Sequence, residues 1–265
     1  MILYKYRDWQ NKHHKTLLTD CELWFSSCKH FNDPFDCKII TQYEGATDEQ
    51  LRKHFQETLD GGYPEADERQ REELLQGAIS RIRDPLARAE QNRKWDEAKE
   101  NDFGIFTLSR TKKNILMWSH YAANQTGFCV GLHRPSLDHA FDAIYTNRDI
   151  YVDQDEVEYS ESYPQILPCD IDGNPVPLAL QRTLLVKSEN WRYEEEYRYI
   201  LFDHTDLPLQ IPRSVIVEII LGCQMPDKYR QEIIEVLRAH TEHPTLFQAK
   251  KMDLEFGLDF EEIPY

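Results

Sequence analysis

The string Trp191-Arg-Tyr-Glu-Glu-Glu-Tyr-Arg198 concentrates carboxylates, arginines and aromatic rings within one short stretch. In an extended backbone Glu194, Glu196 and Arg198 share one face, while Tyr193, Glu195 and Tyr197 share the other. Same-face neighbours on a strand lie about 6.5 Å apart. Two carboxylates that close repel, so one pKa rises unless a cation intervenes, and Arg198 is placed to supply that cation. A carboxylate held in this way can stabilise a developing positive charge and hold hydroxyl groups. The competing reading is an exposed sheet edge that carries charge to prevent aggregation. The aromatic opposite face, with Trp191, favours a strand anchored in the core.

Two further clusters carry chemistry. Phe31-Asn-Asp-Pro-Phe-Asp36 is a shaped loop, because Pro34 fixes its own φ and Asn32 and Asp33 favour side-chain-to-backbone turns. Its acceptors, Asn32, Asp33 and Asp36, suit a ribose, a metal or the loop's own backbone. Ser109-Arg110 precedes Trp118-Ser-His-Tyr121, where Trp118 and Tyr121 share a helical face and His120 is a candidate base or ribose contact. Ser119 has no G-x-S-x-G elbow around it, which leaves a hydrolase triad without support. G-x-x-x-x-G-K-[ST], G-x-G-x-x-G and H-E-x-x-H are all missing. The six cysteines, at 21, 28, 37, 129, 169 and 223, form no C-x-x-C pair, so a structural zinc site is not expected.

These residues must be positioned by a chain of 265 residues that is 40% hydrophobic and 29% charged, a globular balance. Lys and Arg total 31 against 47 Asp and Glu, a formal net charge of -16, which disfavours unspecific binding to DNA or RNA. No apolar run approaches the roughly 20 residues of a membrane span, and the N-terminus does not read as a secretory signal. The expectation is a cytoplasmic protein with reduced thiols and no membrane partner.

Strands are expected at Met1–Arg7, toward Phe25, and at Phe103–Ser109, Gly127–His133 and Val215–Leu221. Residues 143–152 read as extended and 178–187 as helical. Trp191–Phe202 alternates as a strand does, and so do Met252, Leu254, Phe256, Leu258 and Phe260. Helices are expected around Ile115–Ala123 and from Asp227, read as the cap, through Arg238. Residues 44–102 differ in kind. Leu51, Phe55 and Leu59 mark one helical face, and Leu74, Leu75, Ile79 and Ile82 mark another before Pro85. Thr47 with Gln50 makes a capping box. The reading is one α+β domain over 1–265, with a compact mixed or antiparallel sheet core and a helical insertion or lid at 44–102.

Four motifs in this order carry a resemblance: LYKYR at Leu3–Arg7, FNDPFD at Phe31–Asp36, MWSHYA at Met117–Ala122 and W-x-x-E-x-E-x-R at Trp191–Arg198. Together they resemble a bacterial family catalogued as domain of unknown function 2971. More distantly, the order of a basic residue on an early strand, a Ser/Thr-bearing strand and an E-x-E pair is similar to mono-ADP-ribosyltransferase folds. Lys5 or Arg7, Thr107 or Ser109, and Glu194 with Glu196 take those places, although the strand around Thr107 lacks the usual Ser-Thr-Ser run.

The second resemblance implies an ADP-ribosyltransferase-like sheet and an enzyme that cleaves NAD, its substrate, at the nicotinamide–ribose bond. Glu196 would stabilise the charge on the ribose, and Glu194 would orient or deprotonate an acceptor of unknown class (protein, nucleic acid or small molecule). Tyr4, Lys5, Arg7, Asn32, Asp33, Asp36, Ser109, Trp118, His120, Tyr121, Trp191 and Arg198 would line the site. Among them Lys5 or Arg7 would hold the pyrophosphate, and Trp118 or Tyr121 would stack on a flat ring. No metal is expected. A toxin or antiphage effector with an antitoxin or regulatory partner is in keeping with that likeness. Two alternatives stand beside it. One is a metal-dependent nuclease or phosphoesterase using Asp33, Asp36, Glu194 and Glu196. The other is a non-catalytic nucleotide-binding sensor.

Overall fold

The computed structural model describes residues 1–37, 40–41, 45–148, 150–163, 165–166 and 183–265. In chain order the first elements are β1 (Ile2–Arg7), α1 (Lys12–Thr19), β2 (Glu22–Ser27), β3 (Ile40–Thr41), α2 (Asp48–Gly62), α3 (Glu68–Arg83) and α4 (Pro85–Asn101). Next come β4 (Phe103–Ser109), α5 (Ile115–Tyr121), β5 (Phe128–His133), α6 (Arg134–Arg148), β6 (Val152–Glu156), β7 (Glu158–Ser160) and β8 (Gln165–Ile166). The last are β9 (Val186–Ser188), β10 (Glu196–Phe202), β11 (Leu207–Gln210), β12 (Ile216–Leu221), α7 (Asp227–Arg238), β13 (Thr245–Lys251) and β14 (Leu258–Glu262). The chain is therefore α+β. It divides into two compact units: Met1–Ser26, Gly104–Val157 and Asn190–Tyr265 in the first, Ser27–Phe103 and Glu158–Glu189 in the second.

The first unit is built on a sheet of order β11-β2-β4-β1-β5-β12-β13-β14, with β10 pairing β4 and β6. Most of its pairs are antiparallel, including β1 with β5 from Ile2↔His133 to Arg7↔Phe128, whereas β12 and β13 run parallel. Alternation along β1 sends Leu3 to one face and Tyr4 and Tyr6 to the other. Leu3 joins Phe106, Val130, Tyr197 and Tyr199 under Leu18 of α1, Phe141 of α6 and Leu237 of α7. Tyr4 and Tyr6 join Cys129, Ile220 and Ala249 under Met117 and Trp118 of α5. Each large apolar side chain buried in this way contributes about 1.5–3 kcal/mol.

In the second unit, Leu51, Phe55 and Leu59 of α2 pack on Leu75, Ala78 and Ile82 of α3. Thr47 and Gln50 form the capping box of α2, and Asp67 and Gln70 form that of α3. Pro85 opens α4 behind the N-cap Asp84, since a first-turn proline sacrifices no helical hydrogen bond.

Four local expectations change. Residues 143–148 belong to α6, because Leu137, Ala140 and Phe141 bury one helical face there. Of the helix expected over 178–187, residues 178–182 lie outside the described residues, and Val186–Ser188 is strand β9, parallel to β7. The alternation from Met252 to Phe260 is not one strand: 252–257 turn between β13 and β14, with the Met252 N–H donating to the Gly257 carbonyl at 3.1 Å. Asp227 lies in the first turn of α7, not at its cap, which is Pro226.

Candidate functional site

The site is assembled around a turn in the first unit. Trp191, Tyr193 and Glu194 lie on a 3-10 turn, Glu189–Glu194, and Glu195 follows in the left-handed region at φ 44°. Glu194 is thus not on the strand that carries Glu196 and Arg198, and the shared face expected for all three is confined to the last two. A non-glycine residue at positive φ carries strain that surrounding contacts must impose. Those contacts come from the end of β4 and the segment after it. The Tyr193 carbonyl accepts from Asn114 Nδ2 at 2.9 Å, the Glu194 carbonyl from Ser109 Oγ at 2.7 Å, and the Glu195 carbonyl from the Arg110 N–H at 2.9 Å. Three successive carbonyls are held by one short stretch of chain. Asn114 also starts α5, its Oδ1 accepting from the Leu116 N–H at 2.8 Å.

The Glu194 carboxylate is 3% exposed, and Tyr121 donates its hydroxyl to Oε1 at 2.6 Å. Beside it, the exposed His120 has its Nδ1 3.1 Å from the Tyr193 hydroxyl, and the Trp191 and Tyr193 rings sit 5.9 Å apart. This grouping joins a buried carboxylate to a phenol, an imidazole and two partly exposed rings, which suits a ligand with hydroxyls and a flat ring.

Glu196 stands differently. Arg198, 0% exposed, donates through Nε to Oε1 at 2.8 Å and through Nη2 to Oε2 at 3.1 Å, a two-pronged buried pair. A carboxylate committed to such a pair is poorly disposed to serve a ribose. Trp118 is also removed from ligand contact. It is fully buried, edge-on to Tyr6 at 5.2 Å, with its Nε1 donating to the Lys112 carbonyl at 2.8 Å.

The remaining expected residues divide. Tyr4 donates to Glu218 Oε2 at 3.3 Å, and burial, then the Glu218 carboxylate, pushes its phenol up. Lys5 reaches β4, where its Nζ donates to Thr107 Oγ1 at 2.8 Å above the Phe106 ring. Arg7 is half-buried, and burial pulls its guanidinium down to about 10. His14 lies close by, with Nδ1 accepting from the Asp8 N–H at 3.1 Å. Burial, then the Arg7 and Lys5 charges, pull it down to about 4. Asn32, Asp33 and Asp36 belong to the second unit. There Asp33 Oδ1 accepts from the Phe35 N–H at 2.9 Å, and Asp36 pairs with Lys187 at 3.5 Å. Among the described residues no three His, Cys, Asp or Glu side chains converge as a metal site, and no helix is long and apolar enough to cross a membrane.

Sequence reasoning missed Asn114 and Tyr193. The run Ile115-Leu116-Met117 behind an asparagine is a helix-start signal that marks Asn114. No sequence signal marks the bond to Tyr193.

The sheet, α5 and the held turn define an α+β protein with a carboxylate–aromatic site. Residues 117–199 match the model of the family described as protein of unknown function (DUF2971), and this stretch contains both MWSHYA and W-x-x-E-x-E-x-R. The match supports the resemblance that those two motifs carry. No curated protein and no solved structure matches the chain.

Proposed function

We propose that the chain is an ADP-ribosyltransferase-like enzyme that consumes NAD, with Glu194 as the carboxylate of its site. The observation that carries this reading is Glu194 itself, on a turn with a left-handed residue, its side chain bonded to Tyr121 beside His120, Tyr193 and Trp191. In the reaction the bond between ribose C1′ and the nicotinamide nitrogen breaks, and its electron pair leaves with neutral nicotinamide. Positive charge builds on the ribose, an acceptor nucleophile bonds C1′, and the acceptor's proton is lost to a base. A carboxylate preorganised at the ribose lowers that barrier. Trp191 or Tyr193, rather than Trp118, would take the flat ring. Lys5 and Arg7 share the face of β1 opposite the one α5 covers, so they take no part in this site, and the Glu196–Arg198 pair would serve as rigid support. A role as toxin or antiphage effector, held in check by an antitoxin or regulatory partner, belongs to the same reading.

The test is nicotinamide release from NAD by wild type and Glu194→Gln. The loss of one such electrostatic contact typically costs about 100- to 1,000-fold in rate. The burial of Glu196 against Arg198 favours a second reading, nucleotide binding without turnover. Thermal stabilisation by NAD with no nicotinamide released would select it.

A further inference from the structure

We propose that Lys112 is the positioning residue of the Glu194 site, acting from an aromatic cage built on four strands; this rests on reading Glu194 as the site carboxylate. The Lys112 ammonium lies 4.6 Å from the Phe247 ring centre, 5.4 Å from that of Phe260 and 5.7 Å from that of Tyr4. Its Nζ is 2.7 Å from Glu218 Oε2, with side-chain exposures of 20% and 16% for the pair. Tyr4, Glu218, Phe247 and Phe260 come from β1, β12, β13 and β14, so the cage is anchored in paired strands. Gly131 opposite makes room for it: a Cβ there would lie 2.9 Å from Glu218 Cβ and 3.3 Å from the Tyr4 ring. An ammonium ringed by aromatic faces and closed by a carboxylate is held more firmly than an exposed surface ion pair.

What this grip controls is the stretch that carries the turn. The Lys112 carbonyl accepts from Trp118 Nε1, the Thr111 carbonyl accepts from the Tyr6 hydroxyl at 2.8 Å, and the Thr111 N–H donates to Ser109 Oγ at 3.2 Å. On either side, Ser109, Arg110 and Asn114 make the three bonds to the carbonyls of Tyr193, Glu194 and Glu195. Lys112 stands between the two ends of that clasp. Without the cage contact the segment keeps only the Tyr6 and Trp118 bonds to its carbonyls, and the turn can relax its left-handed residue.

The experiment compares Lys112→Met, Lys112→Arg and Glu218→Gln with wild type. It reads amide exchange at Arg110, the indole N–H of Trp118 and NAD turnover. Lys112→Met keeps the side-chain bulk and removes the charge. Arg110 exchange should quicken about 10-fold or more, with amides of β5 unchanged. Turnover should fall by about 10- to 100-fold in kcat with little change in KM, the scale expected of a misplaced catalytic group. Lys112→Arg should restore most of both, and Glu218→Gln should repeat the Lys112→Met pattern more weakly while keeping the cage rings. Unchanged Arg110 exchange in the Met and Gln variants would overturn the proposal, as would an equal rise in β5. If wild type releases no nicotinamide, the transferase reading fails by itself, and the exchange comparison still decides whether Lys112 holds the turn.

Discussion

Glu194 and Glu196 are two residues apart and both buried, yet their partners differ. Glu196 is paired on both oxygens with Arg198, and removal of one member of a buried pair costs about 3–5 kcal/mol because the other stays behind as a buried charge. Glu196→Gln should therefore lower the denaturation midpoint well below that of Glu194→Gln, measured side by side in urea. In nicotinamide release the order should reverse, with Glu194→Gln the more damaging. His14 gives a pH signature. Its folded pKa is depressed to about 4, below the ordinary value of 6.5, so the unfolded chain takes the proton first. Its contribution is fully present above 6.5 and is lost as pH falls toward 4. His14→Asn, which keeps an acceptor for the Asp8 N–H, should flatten the loss of stability between those values in denaturation curves taken across pH.

At the scale of elements, two glycines make opposite predictions. In α3, nothing lies within 4 Å of a Cβ built on Gly77, so Gly77→Ala should stabilise by about 0.5–1 kcal/mol through helix propensity. Between α5 and β5, a Cβ on Gly127 would lie 2.2 Å from the Arg7 carbonyl, which is backbone paired in the sheet and cannot step aside. Gly127→Ala should destabilise by more than the about 1–3 kcal/mol typical of overpacking. Asn114→Ala removes a helix cap and the link to the Tyr193 carbonyl together. The cap alone is worth about 1 kcal/mol. Thermal melting ranks all three variants, and a loss confined to the cap value for Asn114→Ala would show that the link to the turn adds nothing.

For the whole molecule, the division into two units sets the order of proteolysis. The connection from Tyr63 to Ala66 between α2 and α3 is largely exposed, whereas β10 is buried along nearly its whole length. Cleavage under native conditions should begin within 47–100 and reach Trp191–Phe202 last, as read by mass spectrometry over a time course. The net charge of -16 acts at this scale too, opposing the approach of polyanions.

Local pattern by itself determined β1, β4, β5, β12 and the helices at 115 and 227, since side-chain period and helix signals act within a few residues. It also determined the cap at Thr47 and the family motifs at Met117–Ala122 and Trp191–Arg198. The same local pattern misled at Met252–Phe260, where apolar alternation continues through a turn that leaves Leu254 and Phe256 exposed. It misled again at Trp191–Arg198, where alternation suggested one strand. Only the tertiary structure decided that Glu195 turns left-handed, that Glu194 meets Tyr121 across 73 residues of sequence, and that Glu196 closes on Arg198. The reason is physical: period and propensity are set by neighbours in the chain. The partner that holds a carbonyl or a carboxylate is set by which distant strands lie side by side, and no spacing in the string records that.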